Sequence, residues 1–133
     1  MNNNERELYN NEIEELHDRL VSELVKDPVD IGATLDSSKV DLIHATMGIV
    51  GEAGELLDGI KKHVIYNKPL DVSNVIEELG DMEFYIKQLR SRLNITREET
   101  LVSNIRKLRV RYPNAGYSDK DAMERKDKKE NES

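Results

Sequence analysis

Two acidic pairs, Glu52-x-x-Glu55 and Glu78-x-x-Asp81, have the spacing to do chemistry. Carboxylates three apart on a helix share a face. Four of them converging between two helices repel one another unless a cation neutralises them. A hard divalent ion such as Mg2+ takes oxygen ligands and keeps waters for substrate phosphates. Further along, Asn104, Lys107 and Arg111 fall at i, i+3 and i+7, a row of donors suited to phosphate oxygens. An acidic metal site facing a basic clamp points to metal-assisted attack of water on a nucleotide phosphate.

The elements that must position these residues read as helices. The first, roughly residues 4–26, carries Ile13, Leu16, Leu20 and Leu24 at spacings of three and four. Asp27-Pro28 ends it, because proline disfavours helical geometry at the residue before it, and VDIGATLDSS reads as a connector. Asp36 or Ser37 caps a second helix that runs to about Tyr66, with the apolar stripe Val40, Ile43, Met47, Val50, Leu57, Ile60 and Val64. After NKPLD, Asp71 caps a third helix to near Arg92, whose expected buried face is Val72, Val75, Ile76, Leu79, Met82, Ile86 and Leu89. Thr96 and Glu99 make a capping box for a fourth, with Leu101, Ile105 and Leu108 pointing inward and a stop before Tyr112-Pro113.

The expected fold is all-α, a bundle of four to five helices. It divides into an N-terminal helix (1–30), a catalytic helical domain (31–117) and a charged C-terminal segment (118–133), either a short solvated helix or a disordered tail. The short loop between the second and third helices makes them antiparallel neighbours. His44, Gly48, Glu52, Glu55 and Lys62 then form one polar stripe, to be met by Glu78, Asp81 and Tyr85 from the next helix. Gly48, Gly51, Gly54 and Gly80 each cost about 1 kcal/mol relative to alanine inside a helix. They remove bulk beside the acids, leaving room for close helix approach or for a ligand.

Composition narrows the functional classes. The chain of 133 residues has no cysteine, so thiol catalysis and Cys-based metal sites are excluded. Its net charge of −7 argues against nonspecific nucleic-acid binding, which rests on many Lys and Arg contacts to phosphate. No run approaches the roughly 18 apolar residues of a membrane span, and the polar start MNNNERE does not read as a signal peptide. A soluble, cytoplasmic protein is expected.

The segments HATMGIVGEAGELLDGIKKH, EELGDMEFY and NIRKLRVRYP, followed by GYSDKDAMER, resemble the MazG-like family of all-α NTP pyrophosphohydrolases over roughly residues 40–125. The resemblance implies hydrolysis of a nucleoside triphosphate between its α- and β-phosphates, giving a monophosphate and pyrophosphate. Glu52, Glu55, Glu78 and Asp81 would hold Mg2+, with Mn2+ as a substitute. Lys107 and Arg111 would hold the outgoing phosphates, Asn104 and Tyr112 match neighbouring positions of the family, and Lys61 or Lys62 is a candidate to assist. Members assemble as homodimers or homotetramers with sites at or near subunit interfaces. Some members carry a further Glu where this chain has Gly51. The N-terminal helix has no counterpart in the resemblance.

Other readings stand beside these. His44 either contacts base or ribose or is a hydrogen-bonded structural histidine, and Tyr85 either stacks on a base or packs between helices. Lys61, Lys62 and Glu77 also read as surface residues. Glu14-x-x-His17 has the spacing of a di-iron ligand pair but lacks the second copy such a site needs. A sister activity on dUTP, phosphoribosyl-ATP or guanosine tetraphosphate would share the metal chemistry. A helical interaction module without catalysis would carry the same acids merely as surface.

Overall fold

A computed structural model describes residues 2–129, leaving residue 1 and residues 130–133 of the expected charged segment outside the description. The described residues form seven helices and no strand. The all-α expectation therefore holds. The chain divides into two units, Met1–Ser37 and Ser38–Ser133.

The first unit holds α1 (Asn3–Leu24) and α2 (Pro28–Ala33). Asp27-Pro28 separates them as its chemistry requires, yet the following residues are helical rather than a plain connector. Pro28 sits at the first helical position, where its missing N–H costs nothing. The Asp27 carboxylate accepts from the Val29 amide at 2.8 Å and caps the new helix. One dipeptide thus stops one helix and starts another.

The second unit carries the polar stripes. It comprises α3 (Ser37–Val64, entered from the preceding unit's last residue), α4 (Val72–Leu93), α5 (Arg97–Arg111), α6 (Asp119–Glu124) and α7 (Lys126–Lys129). The caps expected for α4 and α5 are present: Asp71 accepts from the Asn74 amide at 3.0 Å, and Thr96 and Glu99 satisfy each other's backbone at 2.6 and 3.1 Å. Asn94 ends α4 in the left-handed region (φ 53°), a conformation asparagine tolerates. Arg90 of α4 then donates to Thr100 of α5 at 3.3 Å.

Helices α3 and α4 run antiparallel, as their contacts show. Asp41 bonds Gln88 at 2.7 Å and pairs with Arg92. His44 meets Tyr85 edge to face with centroids 6.1 Å apart, and near the far end Gly59 faces Asn74. Residue numbers rise on one helix as they fall on the other. Of the four glycines singled out, only Gly48 is needed for close approach within the chain, since a Cβ there would enter the Tyr85 ring. Gly59 is a second such position, where a Cβ would lie 2.6 Å from Asn74 Oδ1. At Gly51, Gly54 and Gly80 an added methyl meets nothing within 4 Å.

The apolar stripes depart from expectation. Part of them is half-buried as expected, at Ile60 of α3 and Val75, Met82, Ile86 and Leu89 of α4, whereas Met47, Val50 and Leu57 of α3 and Ile76 of α4 stay about two-thirds exposed. Leu101, Ile105 and Leu108 of α5 are exposed as well. Among the described residues, Ala45 is the single buried hydrophobic residue, while Glu78 and Asp127 are the buried charged ones. Two long helices joined by a short loop have only one shared face, and here acids and amides take part of it.

Gly48→Ala tests the close approach. Helix propensity alone predicts a gain of about 1 kcal/mol, whereas overpacking against the Tyr85 ring predicts a loss of about 1–3 kcal/mol. We expect the loss, read as a lower midpoint in thermal or urea unfolding, and its relief when Tyr85→Ala is added.

Candidate metal centre and anion-binding face

Glu52 and Glu55 leave one side of α3 three residues apart, while Glu78 leaves the facing side of α4. Each offers a carboxylate oxygen, and the three oxygens lie within 4.8 Å of one another. Glu78 is buried, Glu52 half-buried and Glu55 exposed, so the group forms a graded pocket opening outward. Asp81 is exposed and outside that tight group. Its charge nonetheless acts on Glu52.

The electrostatics of Glu52 record this crowding. Desolvation holds its carboxyl above the usual range, followed by the charges of Asp81 and Glu55 and a hydrogen bond with Glu78. A bound cation would relieve the like-charge crowding at Glu52. The donor set fits a hard divalent ion: all are carboxylate oxygens. Neighbouring ligands on Mg2+ are about 3 Å apart and opposite ones about 4.2 Å, so oxygens within 4.8 Å of one another would draw inward to share an ion.

Asn74 is a supporting residue that sequence spacing alone did not bring forward. Its Nδ2 donates to Glu78 Oε1 at 2.6 Å, its backbone amide is capped by Asp71, and its Oδ1 lies where a Gly59 side chain would be. The available signal was the four-residue step from Asn74 to Glu78, which places an amide beside an acid on one helix face.

The other candidate residues occupy their own surroundings. His44 rests against Tyr85, itself edge-on to Phe84 at 5.2 Å. Lys62 pairs with Asp58 at 2.8 Å, one turn back on α3, and Lys61 shares that acid at 3.5 Å. Asn104 and Lys107 line a shallow depression on α5 together with Glu99, Thr100 and Ser103. Tyr112 lies 5.9 Å from Tyr117, ring to ring, above Ile105 and Leu108.

Arg111 is held by the C-terminal segment. Its Nε donates to Asp127 Oδ1 at 2.9 Å and its Nη2 to Oδ2 at 2.8 Å. The Asp127 side chain is 3% exposed and that of Arg111 16%. Residues 119–129 are therefore helical and anchored through a buried charge pair. Ser118 caps α6 by accepting from the Asp121 amide at 3.1 Å.

The second unit is thus an all-α fold in which carboxylates from two antiparallel helices are gathered at one point that could hold a metal ion. The chain matches the MazG nucleotide pyrophosphohydrolase domain over residues 43–116, more than half its length, and belongs to that family. It is also similar to "Gene 37 protein" of Mycobacterium phage L5, 36% identical over 76 residues that cover 53% of this chain. The match spans 65% of that relative's length. No solved structure matches the chain. No described helix is long and apolar enough to cross a membrane.

The Arg111–Asp127 pair carries a pH signature. Hydrogen bonding to Arg111 lowers the Asp127 carboxyl from its ordinary 3.8 to about 2, against the opposing effect of burial. The folded chain binds that proton more weakly than the unfolded chain, so the pair contributes fully above 3.8 and its contribution is lost as pH falls through about 2. Asp127→Asn should lower the unfolding temperature at neutral pH and flatten the acid decline between pH 4 and 2. An unchanged acid limb would contradict the assignment.

Proposed function

We propose that the protein is a Mg2+-dependent nucleoside triphosphate pyrophosphohydrolase, converting an NTP or dNTP and water to the monophosphate and pyrophosphate in nucleotide-pool control or house-cleaning. The observation that carries this reading is the three-carboxylate cluster of Glu52, Glu55 and Glu78, with Asp81 beside it, in a chain of the MazG family. Mn2+ has the same oxygen preference and is expected to substitute.

In this reading Glu52, Glu55, Glu78 and Asp81 hold the metal, and bound metal neutralises phosphate charge and makes water a better nucleophile. Asn74 fixes the Glu78 carboxylate by its amide hydrogen bond. Asn104, Lys107 and Arg111 supply donors to the phosphate oxygens that leave as pyrophosphate, with Tyr112 at the same end of α5. His44 and Lys62 complete the substrate-facing set as base or ribose contact and as accessory cation. Nucleoside triphosphates are cytoplasmic metabolites, so the reading carries a cytoplasmic location with it.

The same reading includes a second copy of the chain. Exposed Ile43, Met47, Val50, Leu57 and Val64 on α3 and Ile76, Leu79 and Phe84 on α4 are too many apolar side chains for a stable monomer to leave in water. A homodimer or homotetramer would cover them.

Incubation with a panel of NTPs and dNTPs and Mg2+ should yield monophosphate and pyrophosphate. Release of orthophosphate would contradict the reaction, and turnover confined to dUTP, phosphoribosyl-ATP or guanosine tetraphosphate would shift it to a sister activity. Glu52→Gln and Asp81→Asn should each lower kcat by at least about a hundredfold, since each removes a ligand and its charge. Both should also erase the rise in unfolding temperature that Mg2+ gives the unmodified protein. Absence of any metal effect would favour an interaction module.

Sedimentation should find a dimer or larger, and Leu57→Glu should shift it toward monomer and lower its unfolding temperature. A monomer at micromolar concentration would overturn the assembly.

A further inference from the structure

The Arg111–Asp127 clasp has a geometry that simple charge neutralisation does not require. A guanidinium has five N–H donors in a planar fork. Asp127 takes the side-on pair, one on Nε and one on Nη2. Both Nη1 hydrogens and the second Nη2 hydrogen stay outside the clasp. A carboxylate standing in for a bound phosphate would be expected to sit end-on across the two Nη atoms, blocking that edge. Here Asp127 does not occupy that edge.

Burial points the same way. Asp127 is almost wholly enclosed, whereas Arg111 keeps part of its surface in contact with solvent. The acid is the fixed member of the pair, and the arginine still has something to reach for. Arg125 Nε lies 3.8 Å from Asp127 Oδ1, and the Tyr112 hydroxyl is close enough to bond the guanidinium. Among the described residues, these groups around the clasp come from the end of α5 and from the C-terminal segment. That segment is pinned in turn by Ser118 Oγ donating to Asp121 Oδ2 at 2.7 Å and by Lys126 pairing with Asp121 and Glu124, each at 3.3 Å.

We propose that Asp127 is a positioning residue for anion recognition: by holding Arg111 side-on, it presents the Nη1 edge of the guanidinium to a phosphate oxygen of the substrate or of released pyrophosphate. The proposal rests on the pyrophosphohydrolase reading for the identity of the anion. It gives the C-terminal segment a function, that of aiming an arginine on α5 from a residue sixteen positions later. A flexible arginine loses rotamer freedom when it binds, and an arginine already clamped has less to lose. The same acid lowers the net positive charge at the site. Affinity gained through orientation must exceed that loss, and this makes the inference testable.

Calorimetric titration with inorganic pyrophosphate in the presence of Mg2+ is the direct test, using the full chain and the variants Asp127→Asn, Arg111→Ala and the two combined. Circular dichroism should report folded helix in each. We expect Asp127→Asn to weaken pyrophosphate binding about tenfold, Arg111→Ala to weaken it at least as much, and the double variant to bind no more weakly than Arg111→Ala. Tighter or unchanged binding by Asp127→Asn would overturn the proposal, as would additive effects in the double variant or no pyrophosphate binding by the unmodified chain.

Should Asp127→Asn fail to fold, Arg111→Lys provides an independent test, because lysine keeps the ion pair but has no fork. Positioning predicts a loss comparable to Arg111→Ala, and retained affinity would refute it. Pyrophosphate binding in this pattern without NTP hydrolysis would sink the proposed reaction and leave the positioning role standing. NTP hydrolysis with pyrophosphate binding indifferent to Asp127 would do the reverse.

Discussion

Like charges brought together between two helices are the constraint on which the second unit depends. Carboxylates from α3 and α4 within 4.8 Å of one another oppose the pairing of those helices. The pairing is held by contacts placed to either side. Asp41 takes Gln88 and Arg92 at one end, Tyr85 lies over Gly48 near the middle, and Asn74 sits against Gly59 toward the other. None of these is a conventional hydrophobic contact. Amides, an ion pair and one aromatic ring mark the ends and middle of the interface, while Ala45 is buried and Ile49, Leu56, Val75, Met82 and Ile86 are half-buried alongside them.

That division accounts for what could be read from the chain and what could not. The helices follow from local chemistry: Asp71, Thr96 and Glu99 cap where cap residues should, and three-and-four spacing gives each helix its length. The meeting of the acidic pairs follows from a short loop and a shared face. The destination of the apolar stripes does not. Periodicity says that Met47, Leu57 and Ile76 lie on one side of a helix, and it is silent on what covers that side. Expecting them in a core within one chain assumed that four long helices would close on themselves.

Two smaller readings were incomplete for related reasons. The connector after Asp27-Pro28 looked unstructured because proline was weighed as a terminator, although the same residue is favoured at the first position of a helix. The charged C-terminal segment looked like solvated surface because charge run and surface usually coincide. Asp127 is buried because Arg111 lies opposite it, and no rule of sequence spacing joins residues on two helices separated by a turn. Of the glycines, Gly48 was legible beside the acids, while Gly59 becomes intelligible only once Asn74 is seen facing it.

The Tyr85 ring has a use that its packing alone does not suggest. The chain has no tryptophan and a single phenylalanine, and that phenylalanine and His44 both meet Tyr85 edge-on. Its ring lies over the α3 backbone less than two helical turns from Glu52. An asymmetric aromatic environment of this kind gives circular dichroism in the near ultraviolet, and a Tyr85→Leu difference spectrum separates it from the chain's four other tyrosines. The protein therefore contains its own optical gauge of the spacing between the two helices, readable without a label beside the acids that a cation would draw together.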